Sequence, residues 1–378
     1  MITMRPGSQR SHAFRLLQLL TISGEFPTKS FSVLGGVRII RQLVLRLTSV
    51  QYIRMDKDSP KYIGKMFSVS GRGQLRTIRL CKCAFPLIDE VHPGALECYL
   101  SNFGKFSSSS VHISRNHRVA EVLAMCMMAD IEFRPYALPE LQKERISQTQ
   151  MKERSFYIAR DFKKLDKLEL NKTIFTRVTG ALFYPGGCYA FYNTRNAVMK
   201  WNGMGEQKAL QHIVELSRMN IGLHEVESAL LLGSTLELAL KTLFQSDENR
   251  KTEMRFDTVY NKIHFVPMSA DGVTLIKILT TPDWNQKMLK AIFQDESLYK
   301  HNGVMEYDAY IENIYIYSHL DSDIARLVRF KEALKFHNEP FEVVCYPWQV
   351  SFLETYLGSR DNLKIVDTNE LAAMLESL

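Results

Sequence analysis

Four side chains between Val37 and Thr48 could grip or read nucleic acid: Arg38, Arg41, Gln42 and Arg46. Arg presents a planar fork of donors that matches a guanine edge or a phosphate, and Gln can bridge an adenine edge in the same manner. Lys57 and Lys61, set around the turn-forming stretch DKDSP, add point charges suited to phosphate oxygens. Arg72 and Arg76 lie a little further on and extend the same chemistry, charge-assisted hydrogen bonding to a polyanion.

Covalent chemistry finds less support in the residues. Cleavage of nucleic acid by a bound Mg²⁺ needs clustered carboxylates. The stretches VTGALFY and GCYAFYN, which read as two strands of a hairpin, contain neither Asp nor Glu, and Glu121 and Glu206 fall outside them. Asp321 and Asp323, in SHLDSD behind the apolar run IYIY, sit where open α/β sheets place ligands, at the carboxyl end of a strand. Capping of the next helix is the simpler use for them. No GxGxxG, GxxxxGK[ST], GxSxG or HExxH occurs, and the histidines form no i, i+4 pair. His264 and His301 read as structural residues. Cys81-x-Cys83 has neither zinc-knuckle nor redox spacing, so buried reduced thiols are expected. Tyr184, Tyr189, Phe191, Tyr192 and Trp201 could stack on bases, but alternating aromatics in a hairpin are expected to pack across strands. No catalytic residue, metal or cofactor is assigned.

The cationic residues need elements to position them. An apolar run from Phe14 to Ile22 stops at Ser23-Gly24; a second helix is expected behind Pro27, stopping at Gly35-Gly36. In the third, Val37 to Thr48, Ile40, Leu43, Val44 and Leu47 recur at i, i+3, i+4 and i+7 and gather one apolar stripe, which leaves the Arg and Gln positions on the free face. Gln51 to Arg54 and Tyr62 to Ser68 then form a hairpin. Three helices and a hairpin make a winged helix-turn-helix, with the third helix in the major groove and the wing on the backbone. Ser70 is expected to cap a further helix, GRGQLRTIRLCKC, that brings Arg72 and Arg76 beside the wing.

Beyond this, Leu87 to Phe103 reads as helical around a Pro93-Gly94 break, His117 to Met128 as an apolar helix, and IEFRPY as a strand. Pro139 to Met151 reads as a polar surface helix or loop, VTGALFYPGGCYAFYN as a hairpin, and Glu206 to Met219 as a helix. The remaining third repeats a strand, a turn and a helix, the last expected over Val273 to Leu279 behind a turn at Ala270-Asp271-Gly272, over Asp321 to Phe336 and in later copies; this argues for a largely parallel sheet. The expected fold is multidomain α/β: a winged helix-turn-helix at 1–82, a mixed α/β domain of degenerate nuclease-like form at 110–220, and a C-terminal largely parallel α/β domain at 221–378.

Charge divides the chain in the same place. The net charge is +7, yet Met1 to Lys82 holds five Lys and ten Arg against three carboxylates, a net of +12, which leaves −5 for the rest. Such a distribution steers one end of the molecule toward a polyanion. No apolar run reaches the eighteen or so residues of a membrane helix, and a cytoplasmic protein is expected.

The order of parts resembles the replication-relaxation family, winged-helix proteins encoded by bacterial plasmids and integrative conjugative elements. The winged unit Phe14 to Ser70, the Ser-Gly-Arg stretch after it, the HRVAEV helix and the TRVTGALFYPGGCYAFYN hairpin with a downstream Trp and Glu carry the resemblance, over roughly Ser11 to Met219. It implies DNA binding linked to replication, copy control or mobilisation, with a nuclease-like second domain. No family catalytic residue transfers, because the hairpin positions here are not acidic. The function expected is sequence-preferring binding of double-stranded DNA by a homodimer, without catalysis and without a cofactor. A metal-dependent nuclease or nucleotide-processing enzyme that uses the wing for targeting, with Asp321 and Asp323 as its first candidates, is the alternative.

Overall fold

The computed structural model describes residues 2–5, 11–55, 58–133, 154–162, 177–199, 203–244, 256–293, 306–336 and 340–377. Its contacts gather the chain into two compact units, Met1–Pro139 and Glu140–Leu378.

The first unit opens with β1 (Ile2–Thr3), α1 (His12–Ser23) and β2 (Glu25–Pro27), followed by a 3₁₀ segment, Thr28–Leu34, and α2 (Val37–Leu47). Ser11 caps α1 by accepting from the Phe14 amide, and Gly24, at φ 74°, ends it in a conformation that favours glycine. A side chain at Gly24 would also strike the Phe103 ring, 2.4 Å from where its Cβ would stand. Pro27 closes β2 and does not open an α-helix, and the expected second helix is the 3₁₀ segment behind it.

Two hairpins follow α2. The first joins β3 (Gln51–Arg54) to β4 (Tyr62–Gly64), with β1 parallel on its outer side. The second joins β5 (Phe67–Ser70) to β6 (Thr77–Leu80), and β6 also pairs antiparallel with β2. The expected helix over 71–83 is therefore a hairpin tip and a strand. Its residues explain this: Gly71 and Gly73 both adopt positive φ, breaking any helix, while Thr77, Ile78 and Leu80 are buried between two strands. A Cβ on Gly71 would lie 2.3 Å from the Leu75 carbonyl oxygen, so the tip closes only with glycine there.

α3 (Phe85–Ile88), α4 (Ala95–Phe103), α5 (Ser110–Met128) and the short β7 (Glu132–Phe133) complete the unit. α5 packs on α1, β2 and the 3₁₀ segment, so the HRVAEV helix shares a core with the N-terminal elements. Buried Leu16, Leu17, Leu20, Phe26, Val122 and Met125 form the centre of that core.

The second unit contains β8 (Ser155–Ile158), α6 (Ala159–Phe162), β9 (Val178–Tyr184), β10 (Gly187–Arg195), α7 (Gly203–Ile221), β11 (Ser228–Gly233), α8 (Leu236–Phe244), α9 (Phe256–Val259) and β12 (Lys262–Pro267). Its strands run in the order β12-β11-β10-β9-β8, parallel from β10 to β12 and antiparallel from β8 to β10. The hairpin read in the sequence is β9–β10, and its ladder continues through β11, across residue 220. After α10 (Ala270–Leu279) and α11 (Trp284–Ile292) comes a separate sheet, β13 (Ala309–Ile311), β14 (Ile314–Ser318), β15 (Phe341–Cys345) and β16 (Leu363–Ile365), in that order. Its last three strands are parallel and alternate with α12 (Ile324–Leu334) and α13 (Val350–Leu357), and α14 (Thr368–Ser377) follows β16.

The architecture is thus mixed α/β, and the parallel ladders of the second unit are divided between two sheets and not gathered into one. Ala270, Asp271 and Gly272, expected as a turn, form the first turn of α10. The stretch 139–151, Lys57 and Trp201 lie outside the described residues. None of the described helices is long and apolar enough to cross a membrane.

Candidate nucleic-acid interface

α2 starts directly behind Gly35-Gly36 with no side-chain cap. Its far end is better held: Thr48 and Ser49 donate their hydroxyls to the carbonyls of Leu45 and Arg46 at 2.8 Å each, and the Met66 amide reaches the Leu47 carbonyl at 3.0 Å. Arg46, in the last turn, complements the negative end of the helix dipole.

The burial pattern separates two faces. Ile40, Val44 and Leu47 are buried, and Leu43 is half-buried beside them. Arg38, Arg41, Gln42 and Arg46 are exposed, and none of the four has an ion pair or side-chain hydrogen bond among the described residues. The sequence periodicity placed them on this face; the structure adds that their donors are unspent. It also shows two exposed apolar residues among them, Ile39 at 57% and Leu45 at 72% exposure.

Lys61 is exposed just ahead of β4, and Lys57 lies outside the described residues. Arg72 and Arg76 are exposed at the tip of the β5–β6 hairpin, flanking a 3₁₀ turn at Gly73–Leu75, and not on a helix. This tip is tied to the segment that leads into α2. The Arg76 carbonyl accepts from the Thr28 amide at 3.0 Å, and Lys29 donates its ammonium to Gln74 Oε1 at 2.6 Å. The hairpin expected over Gln51–Arg54 and Tyr62–Ser68 is β3–β4, while Phe67 and Ser68 belong to β5 of a second hairpin, β5–β6, whose β6 is bonded to β2.

One carboxylate of this basic stretch has a structural role that no sequence pattern marks. Glu25, 1% exposed, accepts from Arg79 through Nε at 2.9 Å and Nη2 at 2.7 Å, and from Asn116 Nδ2 at 2.9 Å. Arg79 also lies over the Phe106 ring, 4.3 Å from its centroid. Arg79 is therefore spent inside the unit, in contrast to the arginines of α2. Glu121 likewise serves packing, accepting from the Ser30 hydroxyl at 2.6 Å.

The two aspartates of the alternative reading perform a structural task. Asp323 caps α12: its Oδ1 accepts from the Ala325 and Arg326 amides, and from the Ile263 amide of β12 at 3.0 Å. Asp321 Oδ1 accepts from the Asp323 amide at 3.0 Å, while the Asp321 carbonyl accepts from Nδ1 of buried His264 at 2.8 Å. Together they fasten the loop after β14 to the edge of β12. Burial pushes the Asp321 carboxyl up, an effect that His264 opposes. Burial also holds His319 neutral, with its pKa lowered to about 3. Asp308 completes the group by pairing with Arg326 at 2.8 Å. No group of three or more His, Cys, Asp or Glu among the described residues is arranged to hold a metal ion.

The hairpin aromatics are core residues. Tyr189, Phe191 and Tyr192 are buried; Tyr189 donates to the Leu279 carbonyl at 2.9 Å, and the Tyr192 and Tyr260 hydroxyls share a hydrogen bond of 2.9 Å. Tyr184 stacks on Tyr189 with ring centroids 5.0 Å apart. No protein-family model, curated protein or solved structure matches the chain.

Proposed function

We propose that this protein binds double-stranded DNA with sequence preference, through α2 in a major groove of a winged-helix unit. One observation carries the reading: a helix anchored by Ile40, Val44 and Leu47 turns outward a face whose Arg38, Arg41, Gln42 and Arg46 have no partner among the described residues. Exposed cations that the fold does not use are free to replace the counterions of a phosphate backbone. In this reading Arg38, Arg41, Gln42 and Arg46 contact bases and phosphates. Lys57 and Lys61 contact backbone, and Arg72 and Arg76 do so from the tip of β5–β6, which takes the part of the wing. The unit covers one half-site, so two chains bind one operator. Replication, copy control, transfer or transcription of a mobile element is the setting that the family resemblance gives to such binding. No catalytic step is part of the proposal.

Fluorescence anisotropy with duplexes from the gene's own neighbourhood tests it. Binding should weaken steeply with salt, and changing Arg38, Arg41 and Arg46 together to Ala should reduce the slope of log K against log salt by up to about three. Unchanged affinity in that variant would refute the reading.

A further inference from the structure

Leu45 occupies an unexpected place on α2. It is 72% exposed, the most exposed apolar residue of the helix, and it stands on the side opposite buried Ile40 and Leu47. Arg38, Arg41, Gln42 and Leu45 recur at i, i+3, i+4 and i+7, so the leucine completes a single strip with two guanidiniums and an amide. Ile39 differs: it sits on the shoulder of the helix, toward half-buried Leu43. At that exposure the Leu45 side chain lies outside the core of the described residues. An apolar group centred among unpaired cations suits a surface that is apolar at one point and anionic around it. The major-groove edge of thymine is such a surface, because its 5-methyl group projects between flanking phosphates.

Resting on the DNA-binding reading above, we infer that Leu45 determines sequence preference by packing on a thymine methyl. Gln42, one turn before it, is placed to bridge an adjacent adenine, so both residues favour A·T pairs at the centre of the half-site.

The test uses the full chain. Duplexes selected from a random-core pool are resynthesised with deoxyuridine in place of thymine, which removes only the methyl groups, and dissociation constants are measured for wild type and Leu45→Ala. Ala is a strong helix former and the site is exposed, so the variant's circular dichroism should match wild type. Wild type should bind the uracil duplex about fourfold more weakly for one methyl lost, and Leu45→Ala should bind the two duplexes equally. Equal wild-type affinity for both duplexes, with salt-dependent binding retained, overturns the inference and leaves the DNA-binding reading intact. An equal methyl effect in wild type and variant overturns the role of Leu45. If no duplex is enriched or bound, both readings fall together.

Discussion

Glu25 and His319 show how much depends on what surrounds a single side chain. Glu25 is the only acidic residue before Asp56, and in a strongly basic stretch it reads as a minor correction to the charge. Its burial against Arg79 and Asn116 makes it an internal anchor, and no local pattern announces this, because both partners are distant in sequence. His319 makes a pH-dependent contribution whose sign follows from its environment. Its folded pKa lies near 3, below the ordinary value of 6.5, so the folded state holds it neutral. The stability gained this way is complete above about pH 6.5 and is lost as pH falls toward the folded value, at about 1.4 kcal/mol per pH unit. Asp321 acts in the other direction. Its raised pKa makes its contribution fall as pH climbs through and beyond the ordinary value of 3.8. Replacing His319 by Gln should therefore flatten the fall in stability between about pH 6 and pH 4, as followed by urea denaturation at several pH values. A variant with the wild-type slope would show that the imidazole is not held neutral in the fold.

At the scale of elements, legibility followed the distance over which each element is stabilised. α2 was readable because its whole stripe lies within twelve residues, from Val37 to Thr48, directly behind the break at Gly35-Gly36. β6 was misread because Leu75, Ile78 and Cys81 satisfy a helical spacing, while its strand partners are β5 and a segment some fifty residues earlier, β2. β2 itself, only Glu25–Pro27, is too short to leave a periodic trace. Five strand-and-helix units of the last third were legible, though the turn expected at Ala270-Asp271-Gly272 belongs to α10, and α9 and β13 left no readable pattern; the division of the strands between two sheets was not legible, since it depends on strand pairing and on the loop from Asp321 to Asp323. The two faces of α2 give this reasoning a direct measurement. Leu47 is fully buried and Leu45 is 72% exposed, so Leu47→Ala should cost about 2–5 kcal/mol, whereas Leu45→Ala should change stability by less than about 0.5 kcal/mol. Similar urea midpoints for the two variants would mean that the faces are assigned wrongly.

For the molecule as a whole, the quantity that links charge to function is the number of phosphates neutralised. The first 82 residues carry +12, but the structure removes Arg79 from the available set, and Arg54 donates to Thr3 Oγ1. The cations assigned to contacts are Arg38, Arg41, Arg46, Lys57, Lys61, Arg72 and Arg76. If each neutralises one phosphate, a single bound chain can yield a slope of log K against log salt of at most about six, since each contact contributes about 0.9. Two chains on one operator raise the ceiling to about twelve. The acidic remainder, at −5, is repelled by the same phosphates and can only lower these values. A slope well above six should therefore coincide with two chains per duplex in sedimentation equilibrium, with half-sites about one helical turn apart. A slope above six with one chain per duplex would mean that cations beyond the seven named here touch the DNA. A slope below three would place most of the seven away from it, and with them the proposed role of α2 and the β5–β6 tip.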